Sequence, residues 1–422
     1  MRFVKAAKRR LLFWWQSLTG VMSSWSLVSK VVLIGVGISV LQSNLYGLSA
    51  CRFNIRRRKF VLSKPLAIYC FVVGFLFGFY YVQLIWTEYK SGQLAQLDII
   101  KTYCYVNAVA VLLNYVTQWA MMHPILNYLN DVPLFSTINY FDVSFLAVRR
   151  FVIFGAVKMF GFPFMLQLAT WIYQHHKQPE LSWMHSSITM IPILLGNHLN
   201  NCFFGSILVA HCLFIQINNV LRKMLAEVNR LQTPLGMFLH KPYYRMQRFC
   251  DLADQLDELA KIYTQIAHFS RAYLVLNSFC LVMSLGINLF ITTLGFFMQY
   301  QAIADYTFIE EAYDVTKALS HLVFLLVPFL EIILVARVSQ DELIQAKETG
   351  NLLQRMNMEH ADVRFKAVVD AFWLQVCTIN LKLIPMGLLE LDGSTVNKLY
   401  STVTTFLLFL IQNDLNFRFS IK

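Results

Sequence analysis

Long apolar runs separated by short polar stretches make up most of this chain. A membrane-spanning helix needs about 20 mostly apolar residues. Six segments meet that length with at most one charged residue each, namely 65–86, 102–122, 151–173, 186–220, 272–300 and 318–336. The 186–220 run has no Asp, Glu, Lys or Arg. At ~1.5 Å per residue it exceeds a ~30 Å hydrocarbon core, so we expect it to tilt or to continue into water as a helix.

Three further segments are ambiguous by hydropathy alone. Residues 31–50 are uncharged, but basic residues flank them on both sides. A span there would put one basic cluster outside, so we interpret this segment as interfacial or re-entrant. The 371–389 segment contains a Lys and a Pro, and the 399–413 segment is short. The pattern does not decide which of these last two crosses the membrane.

The composition excludes a soluble enzyme or a disordered chain. Apolar residues make up 57% of the chain and charged residues only 14%, against roughly a quarter charged in soluble domains. Soluble folds of this size need more polar surface to cover their core. We therefore predict an all-α integral membrane protein.

Basic residues indicate the orientation. With seven crossings and a cytoplasmic N-terminus, the inner segments hold 29 Lys and Arg and the outer segments hold 6. The positive-inside tendency favours this arrangement, which places the C-terminus outside and is opposite to that of G-protein-coupled receptors. The predicted inner segments are 1–64, 123–150, 221–271 and 337–398.

The predicted cytoplasmic segments are also helical. Leu252, Leu256, Leu259 and Ile262 lie on one face of a charged stretch, as in an amphipathic helix. Helical extensions of several spans are expected to form a second core below the membrane. We treat 1–422 as one domain, with an N-terminal segment at 1–64, six spans at 65–336, a cytoplasmic anchor at 337–395 and a last helix with an extracellular tail at 396–422.

The C-terminal end of the chain resembles the insect gustatory receptor family. The last helix of that family carries Thr-Tyr, five apolar residues and Gln-Phe. Here Thr405, the apolar run 407–411 and Gln412 match, whereas Phe406 and Asn413 replace the Tyr and the Phe. The preceding Gly-Leu-Leu-Glu-Leu-Asp at 387–392 is similar to the family's Gly-Leu-Phe-x-Ile-Asp element.

This resemblance implies a tetrameric, ligand-gated cation channel of the plasma membrane, in gustatory neuron dendrites. It also implies that 371–389 is a helix in a central anchor and that 399–417 lines the pore. A polar stripe on the last helix agrees, because its members recur every three or four residues and so share one face. The expected pore-lining residues are Thr402, Thr405, Phe409, Gln412 and Asn416. The alternative is a stripe that hydrogen-bonds to neighbouring helices.

The predicted ligand pocket opens to the outside between the middle spans. Aromatic walls with a few amides and hydroxyls suit an organic molecule with apolar faces, and by analogy with the family we expect bitter or aversive tastants. The candidate pocket residues are Tyr103, Tyr105, Gln167, Trp171, Tyr173, Thr292, Phe296, Ser320, His321 and Phe324.

Two lone charges lie inside predicted spans, Lys158 and Glu331. Intramembrane charges often mark functional sites, but a snorkelling Lys158 or a buried pair is the simpler interpretation. The pair also makes a secondary transporter the main alternative function, followed by a seven-helix receptor that signals through a soluble partner. We expect no enzymatic activity, cofactor, metal or nucleic-acid partner. The expected partners are the lipid bilayer, a small organic tastant and related receptor subunits.

Overall fold

The structure is a computed structural model that describes residues 27–54, 59–92, 98–131, 137, 140–141, 145–177, 183–239, 241–308 and 313–421. Residues 1–26, which carry part of the predicted basic N-terminal segment, lie outside the described residues, as do Arg56, Arg57 and Arg58.

Helices form nearly all of the described chain, as predicted. A two-stranded antiparallel hairpin, β1 (Cys51–Asn54) and β2 (Lys59–Leu62), is the exception to the all-α prediction. The helices are α1 (Leu27–Leu45), α2 (Lys64–Lys90), α3 (Ile99–Ala120), α4 (Met122–Asp131), α5 (Phe145–Ala156), α6 (Phe162–Lys177), α7 (Trp183–Gln232), α8 (Pro234–Leu239), α9 (Pro242–Phe308), α10 (Val315–Gln354), α11 (Val363–Ile379) and α12 (Gly393–Ile421).

Six apolar spans were predicted, and six candidate spans are present in the described residues. They are Lys64–Lys90, Ile99–Ala120, Val152–Lys177, Ser186–Gln232, Pro242–Phe308 and Val315–Gln354. Each is long and apolar enough to cross a membrane. The last helix, α12, has 29 residues, so at ~1.5 Å per residue it also exceeds a hydrocarbon core. We name the two ends of the bundle inner and outer after the predicted orientation.

Three spans continue well beyond the predicted hydrocarbon thickness at the inner end. Helices α7, α9 and α10 contain 50, 67 and 40 residues. Their extensions pack with α11 around a common apolar core, in which Leu252, Leu256 and Leu259 are at most 1% exposed. The second core expected from the amphipathic pattern therefore exists, and it is continuous with the inner half of the bundle.

The segment 371–389 is not one helix, which corrects the prediction. Helix α11 ends at Ile379, and Asn380 adopts a left-handed conformation with φ of 35°. A left-handed residue ends a helix because the backbone reverses its turn there. The chain then continues without regular structure except for a 3₁₀ turn at Pro385–Gly387. Leu381 and Leu383 are buried in this stretch, so it packs as an extended connection.

The segment that follows the N-terminal helix packs into the bundle, whereas α1 itself lies on the surface, with Ile34, Leu41 and Leu45 exposed. After α1, the chain turns at Gly47, and Leu48 and Ala50 are almost fully buried. The Tyr115 hydroxyl donates to the Tyr46 carbonyl at 2.7 Å, and the Trp119 indole N–H donates to the Gly47 carbonyl at 3.4 Å. These contacts join the end of α1 to α3, at the inner end of the bundle.

Candidate ligand cavity and pore helix

The two lone intramembrane charges lie next to each other. The Lys158 ammonium Nζ is 3.6 Å from Glu331 Oε1, and both side chains are almost completely buried. Lys158 lies in a single turn of π-helix, Val157–Gly161, between α5 and α6. A π turn inserts an extra residue into the helical repeat and so rotates the following residues. Since Lys158 is 0% exposed, it does not snorkel towards water.

A chain of buried polar side chains extends from this ion pair across the bundle. The Asn288 amide donates to Glu331 Oε2 at 2.9 Å, and Tyr103 donates to Asn288 Oδ1 at 3.2 Å. The Asn197 amide in turn donates to the Tyr103 hydroxyl at 3.3 Å. The network links α3, α7, α9 and α10, and its hydrogen bonds satisfy groups that are costly to bury unpaired.

A cavity lies beside the ion pair, between α1, the α5–α6 segment, α7 and α10. The space that a small molecule could occupy there is about 60 Å³, well below the ~300–1,000 Å³ usual for small-molecule sites. Its lining contains both apolar and polar residues. The lining residues are Gln42, Tyr46, Met159, Pro163, Leu166, Ile193, Leu194, Asn197, His198, Asn201 and Glu331.

Ser43 of α1 and Tyr46, which follows α1, contact His198 in the cavity lining. The Ser43 hydroxyl and His198 Nε2 are 2.8 Å apart, and the Tyr46 ring meets the His198 ring edge-on at 5.1 Å. The Asn201 side-chain carbonyl is buried without a hydrogen-bond partner among the described residues. His198 therefore has a hydrogen-bond partner in the cavity lining, whereas the Asn201 side-chain carbonyl has none among the described residues.

Six of the ten predicted pocket residues, Ser320 among them, are buried in the outer half of the bundle. Tyr103 meets the ring of Phe324 edge-on at 6.1 Å. Tyr173 lies 5.6 Å from His321 between ring centroids and donates to Asp98 at 3.0 Å. Thr292 donates to the backbone carbonyl of its own helix. Close packing therefore occupies much of the space where the pocket was predicted.

Of the predicted pocket residues that are less buried, three contact neighbouring helices. The Gln167 amide is 3.3 Å from both the Ser186 and Ser187 hydroxyls. Trp171 lies 5.5 Å from Trp183 of α7 between ring centroids, and Phe296 lies 6.4 Å from Phe329. Ser320 is buried, and Tyr105 is half-buried. None of the ten lines the cavity described above, although Tyr103 connects to it through Asn197.

Helix α12 packs on the bundle by one face and leaves the opposite face open. Val403 is buried, and Leu407 and Asp414 are partly buried against the chain. The five predicted pore-lining residues all point away from this packed face and are exposed in the single chain: Thr402, Thr405, Phe409, Gln412 and Asn416. Thr402 and Thr405 donate to carbonyls of α12 itself, so within the described residues the hydroxyls of the stripe do not bond to neighbouring helices.

Carboxylate side chains form hydrogen bonds at both ends of α12. At its start, the Asp392 carboxylate accepts a hydrogen bond from the Thr395 backbone N–H at 2.9 Å. This bond and those from Ser394 hold the pKa of Asp392 below its usual value, so the cap stays ionised. At its outer end, Arg418 donates to Asp414 at 2.6 Å and to Asp305 of α9 at 2.7 Å. The helix is therefore capped at its start and joined to α9 at its outer end, with the exposed stripe between them.

The sequence matches the family model described as 7tm Chemosensory receptor over residues 40–417. This match covers the cavity, the ion pair and α12. The chain belongs to the 7tm chemosensory receptor family. Membership agrees with the prediction that the chain is not an enzyme, and it supports the resemblance drawn from the C-terminal motif.

Relatives of this chemosensory receptor include gustatory receptors of Drosophila melanogaster. Gustatory receptor 97a is 44% identical, and the alignment covers 100% of each chain. Gustatory receptor 94a is 34% identical over 93% of this chain and 96% of its own. A third relative, named gustatory receptor for bitter taste 93a, is 27% identical over 51% of this chain and 49% of its own.

The fold of this chemosensory receptor is also that of a solved insect receptor. The olfactory receptor OR5 from Machilis hrabei superposes with a TM-score of 0.55 over 91% of this chain and 99% of its own, at 12% sequence identity. A second structure of OR5, in complex with eugenol, superposes with a TM-score of 0.52. At this identity the comparison establishes a shared fold.

Sequence reasoning missed part of this receptor's polar network. Asn197 and Asn288 were not singled out, yet they connect Tyr103 to Glu331. A signal existed, because both are amides inside otherwise apolar runs, where polar side chains usually bond across helices. Gln42 and Tyr46 were missed for another reason: hydropathy gave no indication that α1 forms a wall of the cavity.

Proposed function

We propose that this receptor is a ligand-gated cation channel, with α12 lining the pore and a tastant binding among the other helices. The observation that carries the proposal is the exposed stripe of α12. Polar groups exposed to lipid are costly, so the face with Thr402, Thr405, Gln412 and Asn416 is better placed against water and ions. Phe409 interrupts this face and is 66% exposed in the single chain.

A shared axis between subunits explains the open face. In a symmetric homotetramer or heterotetramer, four copies of α12 surround a central path, and the exposed stripe of each lines it. A ring of Phe409 side chains then forms a hydrophobic constriction, which closes a pore by excluding water. Gln412, one turn further out, supplies amide oxygens that replace part of an ion's hydration shell.

The proposed ligand is a small, non-volatile, bitter or aversive compound. One relative is named as a gustatory receptor for bitter taste, and one solved structure of the same fold is a complex with eugenol, a small organic molecule. The ten predicted outer-half residues remain the proposed ligand pocket, and Tyr103 connects them through Asn197 to the cavity beside Glu331.

The proposed location is the plasma membrane of gustatory neuron dendrites, with the N-terminus cytoplasmic and the C-terminus outside. The basic residues support this orientation, with 29 on the predicted inner side and 6 on the outer side. In this orientation the extended core of α7, α9, α10 and α11 lies in the cytoplasm. The exposed Cys377 of α11 then faces water or a neighbouring subunit.

Whole-cell recording tests the proposed function. Cells that express the receptor are expected to give an inward cation current when a panel of bitter compounds is applied from outside, and untransfected cells give none. Replacing extracellular sodium and calcium with an impermeant cation should abolish the inward current. The recording is made with the receptor alone and with related subunits, since assembly with relatives is part of the proposal.

The transporter alternative predicts a different result. A coupled transporter gives small currents that saturate with substrate and requires uptake of the compound itself. Compound-evoked uptake without a single-channel conductance would therefore contradict the channel proposal. Discrete single-channel openings in excised patches would support it.

A further inference from the structure

The β1–β2 hairpin lies where the chain enters α2, the first of the six candidate spans. Only Ser63 separates β2 from α2, which begins at Lys64. The rest of α2 is uncharged as far as Glu88, the first acidic residue of the chain. The side chains of Ile68 and Phe71 are exposed on this helix, as expected of a face turned to lipid. The hairpin therefore lies at the height of the lipid headgroups, on the proposed cytoplasmic side.

The backbone of the hairpin is fixed to the bundle. In β1, the Cys51 carbonyl accepts a hydrogen bond from the Asn44 amide of α1 at 3.1 Å. In β2, the Phe60 N–H donates to Asn130 Oδ1 at 2.7 Å, and the Asn130 amide donates to the Phe60 carbonyl at 2.9 Å. Because α1 and α4 hold the hairpin from two sides, its remaining side chains project in defined directions.

Two basic residues share one face of the hairpin. Arg52 pairs with Val61 across the two antiparallel strands. Since side chains alternate between the two faces of a strand, Lys59 lies on the same face as Val61 and Arg52. It is the diagonal neighbour of Arg52, at roughly 7–8 Å, a distance that long side chains can span. Arg52, Lys59 and the adjoining Lys64 are all exposed.

These three basic residues have no counter-charge in the described part of the chain, where none of them forms an ion pair. Helix α4, which packs on β2, carries one acidic residue, Asp131 at its end. Within the same described residues, Asp131 is not in an ion pair either. Unpaired basic residues beside the cytoplasmic leaflet attract anionic lipids.

We propose that Arg52, Lys59 and Lys64 form a docking site for the phosphorylated headgroup of a phosphoinositide in the inner leaflet. The planar guanidinium of Arg52 suits two phosphate oxygens at once, and Lys59 adds a point charge beside it. Lys64 begins the membrane helix, so it is placed for the phosphate nearest the hydrocarbon core. The inference requires the proposed orientation of the chain but no ion conduction, and it goes beyond the proposed function.

Thermal unfolding of the full-length receptor in phosphatidylcholine nanodiscs tests this site. The probes are a short-chain phosphatidylinositol bisphosphate, a short-chain phosphatidylserine and soluble inositol trisphosphate. The bisphosphate lipid is expected to raise the Tm, because a ligand that binds the folded hairpin stabilises the folded receptor. Phosphatidylserine carries a single phosphate and should require a higher concentration. Inositol trisphosphate lacks acyl chains and should also require a higher concentration than the bisphosphate lipid.

Two double variants separate the hairpin from cytoplasmic charge in general. Arg52→Gln with Lys59→Gln should raise the half-saturating concentration of the bisphosphate lipid about 30-fold, since each basic residue beside an anionic surface contributes about fivefold in affinity. Lys241→Gln with Lys261→Gln removes the same charge from exposed positions at the inner end of α9, and it should leave that concentration unchanged. The Tm without probe checks that each variant folds. If the hairpin variant does not fold, Lys59→Gln alone replaces it, with an expected change of about fivefold.

Four results would overturn the inference. They are an unchanged Tm with the bisphosphate lipid, equal half-saturating concentrations for the native receptor and the hairpin variant, equal losses in both double variants, and binding of inositol trisphosphate as tight as that of the lipid. The last result would identify a soluble phosphate compound as the ligand. A receptor that binds the lipid through the hairpin but conducts no current contradicts the channel proposal instead, and it leaves the lipid site supported.

Discussion

Glu331→Gln alone is expected to destabilise the receptor by about 3–5 kcal/mol, because it leaves the Lys158 ammonium buried without a counter-charge. Lys158 is 0% exposed and its Nζ has no hydrogen-bond partner among the described residues. The double variant Lys158→Met with Glu331→Gln removes both charges and should recover most of that loss. Thermal unfolding in nanodiscs measures the difference between the single and the double variant.

An exposed ion pair supplies the control. Arg364 and Asp254 pair at the surface, where their side chains are 53% and 64% exposed. Surface pairs contribute about 0–1 kcal/mol, so Asp254→Asn should shift the Tm very little. Equal losses from Glu331→Gln and Asp254→Asn would show that Lys158 and Glu331 are not paired in the membrane.

Phe409→Ala is expected to raise the conductance of the receptor without ligand. Phe409 is the apolar member of the exposed stripe on α12, and truncating it widens the proposed constriction so that water stays in it. If the ring adds about 1.4 kcal/mol to the barrier for an ion, its loss speeds permeation about tenfold. The resting current in whole-cell recording, normalised to surface expression, measures this.

Leu408→Ala is the matched control for this effect. Leu408 is also exposed, at 54%, on the same helix, but it is rotated by about 100° from Phe409 and lies off the stripe. Its truncation should leave the resting current near the native level. A resting current that rises equally in both variants, or in neither, contradicts the assignment of the constriction to Phe409.

The sequence predicted the spans because hydropathy depends on composition within a window. All six predicted spans coincide with long apolar helices, and the leucine periodicity at 252–262 correctly predicted the buried face of α9. The end of α11 was mispredicted, since Asn380 in a left-handed conformation is a local backbone event inside an apolar stretch. Hydropathy averaged over a window of residues does not detect a single residue of this kind.

The contacts between helices were harder to predict than the helices. Lys158 and Glu331 are far apart in sequence, and their approach depends on the rotation of each helix about its axis. The π turn at Val157–Gly161 changes that rotation, and no pattern in the sequence indicated a π turn at this position. The contact of Ser43 of α1 with His198 is of the same kind. These long-range contacts, and not the spans, shape the cavity.

Cysteine accessibility tests whether one face of α12 lines a cation pore. Thr405 and Thr404 are adjacent exposed residues, and each hydroxyl donates to the carbonyl four residues earlier, so they form a matched pair. Their side chains point in different directions, since successive residues of a helix are rotated by about 100° about the helix axis. The exposed native thiol is first removed with Cys377→Ser.

A cationic thiol reagent is then applied from outside during ligand-evoked current. The reagent should block current through Thr405→Cys and leave current through Thr404→Cys unchanged, because only Thr405 belongs to the stripe. Block of Thr404→Cys with no effect on Thr405→Cys, in channels that still open, would contradict it.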